Sequence, residues 1–334
     1  GGRPPGLGLV ASFAVCARAL AGAQASRVAG RPPAEHARAV KRLLIHNAMV
    51  IYGNAKPAFG PMDILVEGGL IGRIAPAGAL AVDADAGIDA TGKYVMPGMV
   101  NTHMHWHDER GGVAQPIQYA RNLYLAAGVT TTRELGGAFD KSKRWQAESE
   151  ANTIVAPRMQ VYWTVNRGNG TPEAIRANVR EAKARGADGL KIFGMDRDQL
   201  EVLMDEAKAQ GLRTTTHIAV EEVTARDFVE LGVDSIEHFY GVADAALDGI
   251  QAFPPDHNAS NEVHRFARAG ELYAQANPDK LRQVIDLMVA RGVSWSPTLS
   301  IYEASRDAIP AQNLPWFRDH LHPPLERFFA PILE

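Results

Sequence analysis

The sequence predicts an α/β fold, a (β/α)8 barrel of the TIM type with its last β/α unit missing, preceded by a small β domain. Three observations predict it. From about residue 98 onward, short apolar strands alternate with segments whose apolar residues recur every three or four positions. Several of those helical segments stop at a glycine, at Gly128, Gly211 and Gly292, where a chain leaving a helix favours the left-handed conformation. The strands so delimited number seven, and strands joined by helices pair in parallel.

Taken in order, residues 1–25 carry the apolar run GLGLVASFAV after Arg3 and a small-x-small pattern at Ala23 and Ala25, which reads as an export signal cleaved after Ala25. Cleavage would direct the chain to the periplasm or outside the cell and would remove Cys16. Without it the expected location is the cytoplasm. The run is too short for a membrane span, which needs about 20 apolar residues. Residues 26–42 read as a linker. Residues 43–97 hold LLIHNAMVIYG, MDILVEGGLIGRIAP with Gly68 and Gly69 at its turn, and GIDATGKYVMPG, whose alternation and glycine punctuation predict a small antiparallel β domain. Residues 98–334 hold the barrel. Its strands are VNTHMH, VTTTREL, RMQVYWT, GLKIFG, LRTTTHIA, IEHFYG and VSWSPTLSI, and helices are expected in PIQYARNLYLAAG, PEAIRANVREAKARGAD, DRDQLEVLMDEAKAQG, EEVTARDFVELGVDS and DKLRQVIDLMVARG.

Bulk composition removes several functions. With 35 basic against 38 acidic side chains and a formal charge of −3, nothing marks a polyanion binder, and no basic run points to nucleic acid. Cys16 is the single cysteine, which excludes an intrachain disulfide and a cysteine-ligated metal. Any metal must be held by nitrogen and oxygen. No GxSxG elbow and no HExxH helix occurs.

The chemistry concentrates at strand ends. His103 and His105 lie two apart in VNTHMH and so leave the strand on one face, at the end where barrel enzymes place their sites. His107 follows in what reads as loop, as an outer partner or a substrate contact. Lys191 sits within an apolar strand, where a buried ammonium needs a salt bridge, a lowered pKa suited to Schiff-base work, or conversion by carbon dioxide to a carbamate that ligates metal. His217 in TTTHIA and His238 in SIEHFYG occupy comparable strand ends. Two imidazole pairs and one carboxylate-like group would suit two divalent ions such as zinc.

The segments MPGMVNTHMHWH, AAGVTTTRELGG, GADGLKIFG, TTTHIA and GVDSIEHFYG, in this order, resemble the amidohydrolase superfamily, and more narrowly its prolidase and imidazolonepropionase-related branch, over roughly residues 43–300. The resemblance implies a metal-dependent barrel with a small β-sandwich. It implies that His103 and His105 bind one ion, that His217 and His238 bind the other, and that a carboxylated Lys191 bridges them. Imidazolonepropionases use one metal and lack this lysine, so Lys191 favours the binuclear, dipeptidase-like side.

The same resemblance expects an aspartate at the end of strand eight, and no residue here takes that role. Asp307 and Asp319 follow strand seven in what reads as loop and helix. The 334 residues are therefore expected to be part of a longer product. The expected reaction is hydrolysis of an amide or peptide-like C–N bond in a short peptide or other small molecule, with Tyr240, Trp163, His107 and Arg133 lining the substrate pocket. Self-association into a homo-oligomer stays open. Three alternatives stand beside this reading: an imidazolonepropionase-like hydrolase of cyclic amides, Schiff-base chemistry at Lys191, and a degenerate chain that binds metal without catalysis.

Overall fold

The computed structural model describes residues 13–15, 40–165, 170–219, 223–258 and 261–326. Apart from the strand Phe13–Val15 and residues 40–42, the expected export signal and linker lie outside the described residues. The chain divides into two compact units, one of residues 1–101, 116–132 and 144–159, the other of residues 102–115, 133–143 and 160–334.

The first unit contains a six-stranded sheet built on Arg42–Val50. That strand pairs antiparallel with Phe59–Glu67, which pairs antiparallel with Leu70–Pro76 across the Gly68 and Gly69 turn. The sheet is not antiparallel throughout, because Arg42–Val50 also pairs in parallel with Ala86–Asp89 and Tyr94–Pro97. The linking residues 77–85 are long enough to cross over, which a two-residue turn is not. Strand alternation gives both faces an apolar surface. Ile45 and Ile64 bury with Ala48, Val50, Ala90 and Val95, while their neighbours Leu44 and Leu65 bury with Leu80.

The barrel sheet has seven strands, nearly closed: β1 Met99–Met104, β2 Val129–Glu134, β3 Arg158–Val165, β4 Gly189–Ile192, β5 Arg213–His217, β6 Ser235–Glu237 and β7 Ser294–Ser296, in spatial order β7-β6-β5-β4-β3-β2-β1. The pairs from β3 to β7 are parallel. Seven strands had been expected, and each lies where an apolar run was read. Five are shorter than their runs, β6 and β7 most of all. β7 stops before Pro297, which has no N–H to give a neighbour, and Thr298 turns left-handed at φ 53° to begin a helix at Leu299. β6 stops at Glu237.

Register fixes which side chains face inward. Thr164, Lys191, Thr215, Ser235 and Ser294 form one row, and His217, Glu237 and Ser296 form the next. The alternate residues Leu190, Ile192 and Ile236 turn outward and are fully buried under helices. Among those helices, α3 (Pro172–Ala184) begins with Thr171 accepting from the Ala174 N–H and Pro172 in the first turn, and α4 (Arg197–Ala209) buries Leu200, Leu203, Met204 and Ala207 on one stripe. Helix α7 (Pro278–Arg291) ends at Gly292 with φ 67°. Two helices escape sequence reading: α2 (Phe139–Glu150), whose FDKSKRWQAESE has few apolar residues, and α6 (Glu262–Gln275). No helix among the described residues is long and apolar enough to cross a membrane.

This packing yields a stability prediction. Ile192→Ala removes a fully buried side chain from the strand that carries Lys191 and should cost about 2–5 kcal/mol. Urea unfolding measures it, and an unchanged midpoint would contradict the assigned outward packing.

Candidate metal centre

Every side chain of the site lies in the second unit. His103 leaves β1 at its end, and His105 follows just past it. Their Nε2 atoms are 3.3 Å apart and their rings stand edge to face with centroids 5.2 Å apart. His217 ends β5 on the inner face and stacks on Phe193 at 5.1 Å. His238 follows Glu237, which already faces inward, so simple alternation would send it outward. A left-handed backbone at φ 64° turns it back. Its ring then lies 4.4 Å from that of His217 and 4.7 Å from that of His103, centroid to centroid. The four imidazoles therefore do meet.

Lys191 meets them from the inner row of β4. It is 1 % exposed, and its Nζ has no hydrogen-bond partner among the described residues, lying 5.8 Å from the Phe193 ring. Burial pulls its pKa down to about 7 against the pull of Glu237, with Arg133 adding to the depression. Burial likewise lowers His103 to about 4, His238 to about 2, and His217 well below its ordinary value. At neutral pH the three imidazoles are neutral, the form that ligates metal.

Two buried carboxylates that sequence reading missed hold this set in place. Glu237 Oε2 lies 2.7 Å from His103 Nδ1, while Oε1 accepts from Arg133 and, at 2.6 Å, from the Thr215 hydroxyl. Burial alone would raise Glu237. The His103 bond, the Lys191 and Arg133 charges and the Thr215 bond outweigh it and hold the carboxyl at about 2. Glu134 ends β2, accepts from the backbone N–H groups of Trp106, Gly136 and Gly137, and lies 3.3 Å from His105 Nδ1. Gly136 and Gly137 are required there, since an added Cβ would come within 2.9 Å of the His105 ring and 3.0 Å of the Glu134 carboxylate. Two hydroxyls were also missed. Thr298 Oγ1 lies 2.7 Å from His238 Nδ1, and the Tyr302 hydroxyl lies 3.4 Å from the same atom while donating to Tyr240 at 2.9 Å. Glu237 carried a legible signal, because it follows Ser235 by two and so shares the inward face. Thr298 carried none, lying where a strand had been expected, and neither did Tyr302, which directly follows that run.

The four residues expected to line the substrate pocket fare differently. His107 is half-buried with its ring 6.2 Å from that of His105. Tyr240 reaches His217 at 5.6 Å but is fully buried, a wall of the site rather than an open contact. Arg133 is corrected in role: its guanidinium bonds Glu237, Ser235 and the Thr102 carbonyl, inside the barrel. Trp163 is corrected in place. Thr164 takes the inward position beside Lys191, so Trp163 faces the helices, packs on Phe139 at 4.8 Å and donates to Asn178 at 3.2 Å.

Imidazole nitrogens are donors that divalent ions take. Four imidazoles come together, the buried amine lacks a hydrogen bond among the described residues, and burial keeps His103, His217 and His238 unprotonated. The rings pack on one another, and among the described residues no group of three or more His, Cys, Asp or Glu side chains is arranged to hold a metal ion as it stands.

Comparison with known proteins follows from this geometry. The sequence pattern of the amidohydrolase family matches residues 94–311, the stretch that contains all seven strands. The chain belongs to the amidohydrolase family. Among solved structures this amidohydrolase superposes on a Xaa-Pro dipeptidase with bound methionine in its active site, with TM-score 0.58 and 17 % identity over 87 % of this chain and 73 % of that one. It also superposes on molinate hydrolase, with TM-score 0.53 and 17 % identity over 78 % and 73 % of the two chains. These likenesses show the fold. Adenine deaminase 2 of Rhizobium meliloti is 31 % identical over 150 residues, 45 % of this chain and 21 % of that protein. The chain spans about a fifth of the length of the curated relatives it matches.

The depressed histidines make stability pH-dependent. Between the folded values and the ordinary 6.5 the unfolded chain binds more protons, so stability is present above pH 6.5 and is lost as pH falls toward about 4 for His103. Glu237, also depressed, contributes loss only below its ordinary 4.5. In chelator-treated protein the urea midpoint should therefore fall already between pH 6.5 and 4.5, and His103→Gln should flatten that fall. A flat wild-type profile in that window contradicts the buried neutral imidazoles.

Proposed function

We propose that this amidohydrolase hydrolyses an amide or peptide-like C–N bond in a short peptide or similar small molecule, with two divalent ions, zinc the leading choice, held by His103 and His105, by His217 and His238, and by a carboxylated Lys191 between them. The observation that carries the reading is the buried Lys191 amine, without a hydrogen bond among the described residues and close enough to His103, His217 and His238 to help lower their pKa values. A lysine with its pKa near 7 is substantially unprotonated at neutrality, and the free amine is the form that adds carbon dioxide. Addition forms an N–C bond as one C=O π bond of carbon dioxide opens, and the nitrogen releases one proton, so that a neutral amine becomes an anion. That exchange suits a site otherwise made of neutral nitrogen donors.

The protein's own groups then have separable tasks. His103, His105, His217 and His238 present lone pairs. Glu237 and Glu134 hold the first two rings, and Thr298 and Tyr302 hold His238 through Nδ1. Tyr240 and Phe193 wall the site and exclude water beside His217. When bound, divalent ions supply an activated water near neutral pH and polarise the scissile carbonyl. The proton delivered to the leaving nitrogen is assigned to no residue of this chain. The dipeptidase fold likeness supports starting a substrate panel with dipeptides.

The test combines metal analysis with a dipeptide panel. Wild-type protein should carry close to two ions per chain and hydrolyse at least one member. Lys191→Ala should lower the rate by more than the roughly 10–100-fold cost of disturbing an outer ligand partner, and Lys191→Glu should retain activity without dependence on carbon dioxide. Full metal loading and full rate in Lys191→Ala would contradict the assignment. The depressed amine would equally suit imine formation, and borohydride trapping of substrate on Lys191 would favour that chemistry instead.

A further inference from the structure

We propose that Glu134 and Glu237 are positioning residues that lock His105 and His103 with hydrogen on Nδ1, so that both Nε2 lone pairs form a preset two-nitrogen port for one cation. The inference rests on the metal-dependent reading above and deepens it.

Both carboxylates are surrounded by donors. Glu237 takes the Arg133 guanidinium and the Thr215 hydroxyl, and Arg133 is itself anchored on the Thr102 carbonyl and the Ser235 hydroxyl. Glu134 takes three backbone N–H groups from two separate turns of chain. A carboxylate so placed can only accept, so the histidine nitrogen facing it must donate. That nitrogen is Nδ1 in both rings, at 2.7 Å for His103 and 3.3 Å for His105.

The other ring nitrogens then carry lone pairs, and they face each other at 3.3 Å. Two acceptors at hydrogen-bond distance with no proton between them repel. A cation binding both relieves that repulsion, and the carboxylates make both nitrogens more basic toward it. Arg133 thus acts on the port through Glu237 rather than on substrate. Its planar fork spans Glu237 and Ser235 at once, which a lysine cannot reproduce.

The experiment uses the whole chain, stripped with chelator, with zinc as the probe. Long-range ¹H–¹⁵N spectra report the tautomer of each histidine, and titration calorimetry reports zinc affinity. Wild-type His103 and His105 should both show hydrogen on Nδ1. Glu134→Gln, Glu237→Gln and Arg133→Lys should each weaken zinc binding roughly 10–100-fold, with unchanged circular dichroism, and Glu237→Asp should recover part of the loss. Unchanged affinity in all three variants, or hydrogen on Nε2 of either wild-type ring, overturns the proposal. Should Glu237→Gln fail to fold, the wild-type spectrum and Glu134→Gln still decide. If wild-type protein takes up no zinc, the hydrolase reading falls, while the tautomer spectrum alone supports or overturns this inference.

Discussion

Buried charge is the constraint on which this barrel depends. Lys191, Arg133 and Glu237 all face its interior, where an unpaired ion is prohibitively expensive. Glu237 resolves two of the three by accepting from Arg133 and attracting Lys191, and with its other oxygen it fixes His103. The remaining imbalance sits on the Lys191 amine, which burial drives toward neutrality. The lowered pKa values of Lys191, His103, His217 and His238 thus share one cause, burial in the barrel interior.

Much of the fold was legible because barrel strands announce themselves as short apolar runs between helical periods. GLKIFG and TTTHIA became β4 and β5 with little change, and the predicted helix stops at Gly128, Gly211 and Gly292 all adopt positive φ. Pairing direction in the first unit was not legible, since alternation in GIDATGKYVMPG is the same whether a strand runs parallel or antiparallel to its neighbour. Helix α2 was missed because its FDKSKRWQAESE sequence has only a thin apolar stripe to mark a period.

In the candidate site, residue type and strand-end position singled out His103, His105, Lys191, His217 and His238, and the fold brings the four imidazoles together. What they did not reveal was how the set is held. His238 reaches the others through a left-handed residue, a backbone state that its side chain does not advertise. Trp163 and Arg133 show the limit from the other side. Both sit in strands beside inward positions, yet a one-residue difference in phase sends Trp163 under the helices, and Arg133 is drawn inward by Glu237, 104 residues away in sequence.

Five nitrogen donors, on β1 and just past it, on β4 and β5 and in the turn after β6, are proposed to serve one pair of cations. Anomalous diffraction at the zinc edge from zinc-loaded crystals tests this most directly. The account predicts two peaks roughly 3.5–4 Å apart, one beside His103 and His105, the other beside His217 and His238, with density for a carbamate extending from Lys191 Nζ. Peaks elsewhere on the chain, or an unmodified Lys191 beside empty imidazoles in zinc-saturated protein, would contradict it.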